Sequence, residues 1–167
     1  KAVGNDNIAY IFGSTSKVTF SGSGVAVIGT SAENIASLKK ALTVSTIGYD
    51  KINQLRHVRY FGNYDNILKH MNKHRELLEP RFNAVTETLE REITPCGEIG
   101  SWVKPKGGYF VSFNSMNGCA KRIVQLCAEA GITLTKAGAT FPYGKDPDDK
   151  NIRIAPSYPS IEELEKA

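Results

Sequence analysis

The chain has 167 residues, of which 41% are hydrophobic, and its 21 Lys and Arg exceed its 17 Asp and Glu to give a formal net charge of +4. This length suffices for one domain with a sizeable core or for parts of two. The scattered charge excludes a basic stripe of the kind that follows a nucleic-acid backbone, and the apolar stretches are too short to cross a membrane.

Two short apolar runs in the first part of the chain predict β-strands. They cover residues 8–12 and 24–29 and are continuous rather than alternating, which is typical of strands buried on both faces. Between them, residues 13–24 are rich in Ser, Thr and Gly and predict a loop. A buried strand followed by a small-residue loop is the usual setting of a ligand site in an α/β fold.

Three helices are expected next. Ser31 is the predicted N-cap of a helix over 32–42, and a second helix is predicted over 51–60. The longest amphipathic pattern covers 66–93, where Pro80 predicts a kink or a restart. A helix of this length often bridges two lobes.

The rest of the chain has the pattern of an α+β unit. Its predicted elements are, in order, a strand, a helix, two strands and a helix, over 108–113, 119–130, 132–135, 151–155 and 160–167.

The cysteines and the chain ends give further expectations. Cys96, Cys119 and Cys127 are an odd number at irregular spacing, without the pairs that a disulfide framework or a zinc site needs. We therefore expect free thiols in a reducing compartment, namely the cytoplasm. The chain starts at Lys1 without a methionine and ends at Ala167 inside a helical pattern without a stop, which indicates a piece of a longer protein. We find no signal-peptide pattern at its start.

Lys17 is the first residue to which chemistry can be assigned. It follows a predicted strand, at whose carboxyl end partial desolvation makes a lysine amine nucleophilic toward aldehydes. Ser14 and Ser16 supply hydroxyls for a phosphate, and the small residues 21–24 allow a flat ligand to approach the backbone. A solvated, inert lysine in a polar loop is the plainer alternative.

Arg153 is the second such residue. It lies between Ile152 and Ile154 on a predicted strand and must face away from them. It is therefore either a solvent-facing arginine or a bidentate clamp on a carboxylate, for which the guanidinium geometry is suited.

Three segments in order resemble the class I/II aminotransferases of fold type I, which depend on pyridoxal 5'-phosphate (PLP). Residues 14–17 with the glycine-rich turn resemble the family's lysine motif, 104–110 its small-domain strand entry, and 151–155 its carboxylate-binding arginine strand. The resemblance covers essentially the whole chain and is greatest to a bacterial aspartate-aminotransferase-like subgroup.

The resemblance implies an α/β fold. Residues 1–60 would be the end of the large PLP-binding domain. Residues 61–167 would be the bridging helix and an α+β small C-terminal domain, truncated at its end.

The resemblance also implies roles for individual residues. Lys17 would form a Schiff base with PLP and then act as the catalytic base, with Ser14 at the cofactor phosphate and Ser16 assisting. Arg153 would bind the substrate α-carboxylate. The reaction would move an amino group between an amino acid, possibly aspartate, and a 2-oxo acid in a cytoplasmic homodimer, with no metal, nucleic acid or membrane involved.

Parts of the family pattern are absent. Val25 occupies the position at which many relatives have a phosphate-binding arginine. The family's pyridinium-pairing aspartate, ring-stacking aromatic residue and phosphate loop would precede Lys1. We therefore expect this piece alone to be inactive.

Other hypotheses fit the sequence less well. A PLP-binding sensor domain of a transcription regulator would share the lysine and is the main alternative. Ser14 and Lys17 also match the S-x-x-K motif of penicillin-recognising enzymes, but its companion motifs S-D-N and K-T-G are absent. His70 and His74 are one helical turn apart, and two ligands do not define a metal site.

A local group of basic residues precedes the longest helix. It is either a solvated helix face or a contact to a partner subunit. Its members are Lys51, Arg56, His57 and Arg59.

Overall fold

The computed structural model of the protein describes residues 4–167. They form two compact units, one ending at Lys73 and one over His74–Ala167. Each unit contains its own small antiparallel sheet. The predicted division of the whole protein into domains at residues 60 and 61 stays a prediction.

The first unit opens with a two-stranded antiparallel ladder of β1 (Ile11–Ser14) and β2 (Ala26–Gly29). The prediction of two strands here is confirmed, but the prediction that they are buried on both faces is wrong. Ile11 and Phe12 are 71% and 72% exposed. Because residues 4–167 add no third strand to this ladder, its apolar side chains lie at the surface.

Helices α1 (Ala32–Ser45) and α2 (Lys51–Phe61) follow and begin at capping side chains. Ser31 Oγ accepts a hydrogen bond from the backbone N–H of Asn34 (3.1 Å), which confirms the predicted cap. Asp50 Oδ1 does the same for Asn53 at the start of α2 (2.9 Å). These caps satisfy N–H groups that have no partner within the helix.

Helix α3 (Tyr64–Glu92) has 29 residues and contains Pro80. It continues through the proline without the restart that the sequence allowed, because Pro80 removes only one backbone donor from a long ladder. Arg81 lies beside it, where its Nη1 donates to the carbonyl of Leu77 (2.8 Å) and its Nε to that of Pro159 (2.9 Å). The bond to Pro159 ties the middle of α3 to the loop before the last helix.

The second unit contains a three-stranded antiparallel sheet in the order β3-β4-β5. Its elements are β3 (Gly100–Trp102), β4 (Val111–Ser115), α4 (Ala120–Glu129), β5 (Asn151–Ile154) and α5 (Ile161–Lys166).

The strand predicted over 132–135 is wrong. This segment is not paired in the sheet, and the N–H of Ile132 instead donates to the carbonyl of Cys127 (2.7 Å), closing the end of α4. Leu134 still packs against the core, so its apolar character reflects burial and not pairing. Strand β3 was not predicted from the sequence, because its three residues are too few to show a periodic pattern.

The core of the second unit lies on one face of β4 and β5. Phe113 and Ile152 are paired in register and buried together with Ala120 and Ala137. Alternation along β5 therefore places Arg153, which pairs with Ser112, on the opposite face.

Asp146 organises the loop that leads into β5. Its Oδ2 accepts from the backbone N–H groups of Asn151 (2.8 Å) and Lys150 (2.9 Å), and its Oδ1 from that of Asp148 (3.1 Å). The bond from Asn151, followed by those from Lys150 and Asp148, holds the pKa of the Asp146 carboxyl below its usual value. The charged carboxylate thus fixes where β5 begins.

We expect Asp146→Asn to lower the melting temperature at neutral pH, because an amide cannot accept all three N–H groups. Since the folded pKa of Asp146 is depressed, its contribution is present above the unfolded value of 3.8 and is lost as the pH falls through the folded pKa. Thermal unfolding between pH about 7 and pH about 2 should therefore show the difference between the two proteins narrowing in acid.

Asp148→Asn is the matched control. It removes only the ion pair of Asp148 with Lys150 (2.7 Å), in which both side chains are substantially exposed, and such pairs contribute little. Equal losses in the two variants at neutral pH would contradict the role given to Asp146.

Candidate functional site

Lys17 lies at the centre of a single helical turn between β1 and β2. The N–H groups of Val18 (2.9 Å) and Thr19 (2.8 Å) both donate to the carbonyl of Thr15. Residues four apart share one face of such a turn, whereas the residue midway between them lies on the other. Thr19 is accordingly 3% exposed, and Lys17 lies on the exposed side. We call residues 15–19 the lysine turn.

The predicted cofactor-binding residues Ser14 and Ser16 lie together directly before Lys17. Their hydroxyl oxygens are 3.0 Å apart, and the N–H of Ser16 donates to Ser14 Oγ (3.2 Å). Whichever hydroxyl donates within this pair, the hydrogen of the other is directed outside it. The structure therefore gathers a primary amine and a hydroxyl donor in one turn.

Gly24 closes the loop against the lysine turn. The backbones of Thr15 and Val25 are joined by the bond from Thr15 N–H to Val25 O (2.9 Å), and Val25 N–H donates to Thr15 Oγ1 (2.8 Å). A Cβ on Gly24 would lie 2.6 Å from both the Cα and the N of Ser16. The sequence suggested that small residues here admit a ligand, but Gly24 instead admits the chain's own backbone.

Two side chains of α2 contact the loop between β1 and β2, and one of them, His57, reaches the buried face of the lysine turn. His57 Nε2 lies 2.9 Å from Thr19 Oγ1, and His57 Nδ1 lies 2.9 Å from the carbonyl oxygen of Asn53. Asn53 Nδ2 donates to the carbonyl of Ser23 (2.7 Å). His57 is therefore not part of a solvated basic face, and only its spacing of four from Asn53 on the helix could have indicated this.

Phe20, the residue after the lysine turn, packs within a group of aromatic rings. Four ring centroids lie between 5.0 and 5.9 Å from that of Phe20. They belong to His57, Tyr60, Phe61 and His70. His70 Nε2 also lies 3.1 Å from the carbonyl of Thr19 and donates to it, so this histidine supports the turn.

A cavity of about 400 Å³ lies on the buried side of the lysine turn. Its lining includes Thr15, Thr19, His57, Phe61 and Ile67 and is mostly apolar. The threonines that line it are on the face opposite Lys17. Lys17 is not among the residues that line the cavity.

Arg153 is half-buried on the face of β5 that points away from the core. Its Cζ lies 4.4 Å from the ring centroid of Phe110, so the guanidinium stacks on an aromatic face. The Arg153 Nε is buried and no residue within 4–167 accepts a hydrogen bond from it. A buried donor without an acceptor is costly, and a carboxylate is the group that a guanidinium fork fits best.

A polar network that the sequence did not reveal lies on the same face. Asn151 Nδ2 donates to Asn114 Oδ1 (2.7 Å) and to Ser112 Oγ (3.0 Å), and Asn151 Oδ1 accepts from Thr140 Oγ1 (2.7 Å). Asn151 is two residues before Arg153 and therefore shares its face. The surroundings of Arg153 are ordered and polar rather than freely solvated.

Lys17 and Arg153 belong to different units, the first and the second respectively. No three His, Cys, Asp or Glu side chains of the described residues are grouped so that they could hold a metal ion. Within 4–167, no helix is both long and apolar enough to cross a membrane.

Comparison with known proteins gives concordant matches. The family model described as aspartate amino-transferase matches residues 1–167. A Mycolicibacterium smegmatis protein named as an aminotransferase is 51% identical over 99% of this chain and 39% of its own length. The aspartate aminotransferase of Corynebacterium glutamicum is 44% identical over 100% of this chain and 38% of its own.

A solved structure agrees with the sequence matches. An aspartate transaminase from Corynebacterium glutamicum superposes with a TM-score of 0.92 at 44% identity, covering 98% of this chain and 38% of that one. The chain thus spans about two fifths of the length of the relatives that it matches.

We expect Gly24→Ala to lower the free energy of unfolding by about 1–3 kcal/mol, the usual cost of forcing an extra methyl group into packed structure. The Cβ would displace Ser16 and with it the lysine turn. Chemical denaturation measures the change. Gly48→Ala is the control, because a Cβ there would meet no atom within 4 Å, and an equal loss in both variants would contradict the packing argument.

Proposed function

Because the chain belongs to the aspartate amino-transferase family, we propose that it is the part of a PLP-dependent aminotransferase that carries the cofactor lysine and the substrate-carboxylate arginine. The observation that carries the proposal is the lysine turn, which presents Lys17 beside two hydroxyls within a chain that matches the family throughout. Since the chain spans about two fifths of its relatives, the activity is proposed for the whole protein.

The residues around Lys17 fit PLP. An aldehyde needs a primary amine, which Lys17 supplies from the exposed side of its turn. A phosphate needs hydrogen-bond donors, and the serine that accepts within the Ser14–Ser16 pair keeps its own hydroxyl hydrogen for such a bond. When bound, PLP supplies an electron sink for the substrate α-carbon, which no protein side chain provides. Val25 offers no arginine here, so the serine hydroxyls would be this chain's phosphate donors.

In this proposal Lys17 has two roles. Its Nζ would hold the cofactor covalently, and once the substrate has released it the amine would take the proton from the substrate α-carbon as the general base. Both roles require the amine to reach one position repeatedly. The fixed backbone of the lysine turn meets that requirement.

Arg153 would bind the substrate α-carboxylate. An amino acid and a 2-oxo acid both carry a carboxylate next to the reacting carbon, so one arginine serves both halves of a transamination. Phe110 holds the guanidinium plane, and the unpaired Arg153 Nε offers a donor in that plane. A bidentate carboxylate would satisfy it.

The finer features of the proposal come from the relatives and the sequence. We propose aspartate as the amino donor because the Corynebacterium glutamicum relative is named for it. A homodimer in the cytoplasm is proposed from the family resemblance and the free cysteines. The sensor-domain alternative gains no support, since the relatives are named as aminotransferases.

We expect borohydride reduction of the whole protein with PLP to fix the cofactor on Lys17, as mapped by mass spectrometry. Lys17→Ala should abolish this labelling, because Lys17 is the one lysine in the loop over residues 13–24 that contains Ser14 and Ser16. Lys40→Ala removes an exposed lysine of helix α1 and should leave the labelling of Lys17 unchanged. Labelling that persists at full yield in Lys17→Ala would refute the assignment of Lys17.

We expect Arg153→Lys to lower kcat/KM for the amino acid roughly 10- to 100-fold, because a charge-assisted bond contributes about 1.5–3 kcal/mol and lysine cannot form the bidentate pair. Steady-state kinetics with both substrates measures the effect, which should appear for the amino acid and the 2-oxo acid alike. Arg75→Lys is the control, since Arg75 forms an exposed pair with Glu79 (3.1 Å). A change confined to one substrate would argue against the α-carboxylate.

A further inference from the structure

We infer that Thr19 and His57 are positioning residues for Lys17, which they hold in place through the opposite face of the lysine turn. The inference rests on the proposed function for its catalytic consequence, but the anchoring itself follows from contacts within the first unit. Nothing in the family resemblance assigned a role to either residue.

The link from Thr19 to His57 persists in either protonation state of the imidazole. The carbonyl of Asn53 can only accept, so His57 Nδ1 carries a hydrogen. In a neutral ring, Nε2 then accepts from the Thr19 hydroxyl. In a charged ring, Nε2 donates to Thr19 Oγ1, and the Thr19 hydrogen turns to the carbonyl of Thr15 (3.0 Å). The direction of the hydrogen bond changes, but Thr19 remains bonded to His57; we call this bond the anchor.

The chain of bonds extends from α2 to the far side of the loop. Thr19 Oγ1 lies 3.0 Å from Thr15 Oγ1, which in turn accepts from the N–H of Val25 (2.8 Å). Thr15 and Thr19 are therefore tied to each other, to the helix and to the strand that follows. They are also the two ends of the turn that contains Lys17.

A second contact to the same residue strengthens the anchor. The carbonyl of Thr19 accepts from His70 Nε2 (3.1 Å), and the adjacent Phe20 packs at 5.0 Å from the His57 ring. Thr19 thus has its backbone and its side chain held by different helices, α3 and α2. Because only 3% of the surface of Thr19 is exposed, both bonds are shielded from bulk water.

This anchoring matters because of how a lysine reaches its target. The ammonium group ends a flexible four-carbon stem, so its position depends on where the Cα is fixed. The Cα of Lys17 lies midway between Thr15 and Thr19, so the contacts that hold the two threonines also restrain it. A displacement of about 1 Å at a catalytic group can cost roughly 100-fold in rate.

The experiment compares substitutions in the whole protein. Thr19→Val keeps the shape and removes the hydroxyl, Thr19→Ser restores it, and His57→Phe keeps a ring without its nitrogens. Thr86→Val is the matched control, because Thr86 is 1% exposed and its hydroxyl donates to the carbonyl of Phe82 (3.0 Å) in the second unit.

The first measurement is hydrogen exchange of the Val18 and Thr19 amides in the protein without PLP. We expect Thr19→Val and His57→Phe each to accelerate this exchange about 10-fold, as opening of the turn becomes easier. The double variant should be little worse than either single one, because both remove the same bond. Thr19→Ser should resemble the unaltered protein, and Thr86→Val should leave these two amides unchanged.

The second measurement is kinetic. We expect Thr19→Val and His57→Phe to lower kcat roughly 10-fold while KM for the amino acid stays within about twofold, since the substrate carboxylate binds elsewhere. Unchanged amide exchange in Thr19→Val would overturn the inference. So would an equal fall in kcat in Thr86→Val at the same loss of melting temperature, because the effect would then be general destabilisation.

Different results would contradict the proposed function and the anchoring of the lysine turn. Absence of Lys17 labelling in the unaltered protein would overturn the proposed function, whereas the amide exchange tests the anchor without any cofactor. Normal labelling with unchanged exchange and kcat in both variants would overturn the anchor and leave the proposed function standing.

Discussion

The carbonyl of Thr15 is the acceptor on which the candidate site depends. The N–H groups of Val18 and Thr19 both donate to this carbonyl. The chain therefore makes one helical turn between β1 and β2, and this turn has a buried face and an exposed face. The threonines take the buried face and Lys17 takes the exposed one. The face on which Lys17 begins is therefore a consequence of backbone geometry, and the contacts made by the threonines act on it.

Strand alternation plays the equivalent part in the second unit. Ile152 is 2% exposed and its burial against Phe113 fixes the register of β5, so Arg153 has to occupy the other face. Asp146 fixes where the strand begins by accepting the N–H groups of Lys150 and Asn151. The orientation of the arginine is thus secured by the core behind it and the loop before it.

The sequence predicted what short-range physics determines and missed what depends on tertiary contact. The cap at Ser31 and the outward-facing Arg153 depend on spacing alone and were predictable. The role of His57 was not, because a histidine among basic residues looks solvated until its partner, 38 residues earlier, is known. Residues 132–135 have a strand's alternation, yet burial of Leu134 requires no pairing.

Lys17 and Arg153, the two residues proposed to act in the site, are held by different means because their side chains differ physically. Lysine is a point charge on a flexible stem with no preferred plane, and the lysine turn acts on it through the backbone. The guanidinium group of arginine is planar, and its orientation decides which ligands it can bind. The ring of Phe110 stacks on this group in Arg153 and so restrains its plane. A lysine in place of Arg153 would retain the charge without the plane, and an arginine in place of Lys17 would retain charge without a reactive amine. The two residues are therefore not interchangeable, and the structure around each one accounts for the residue that is there.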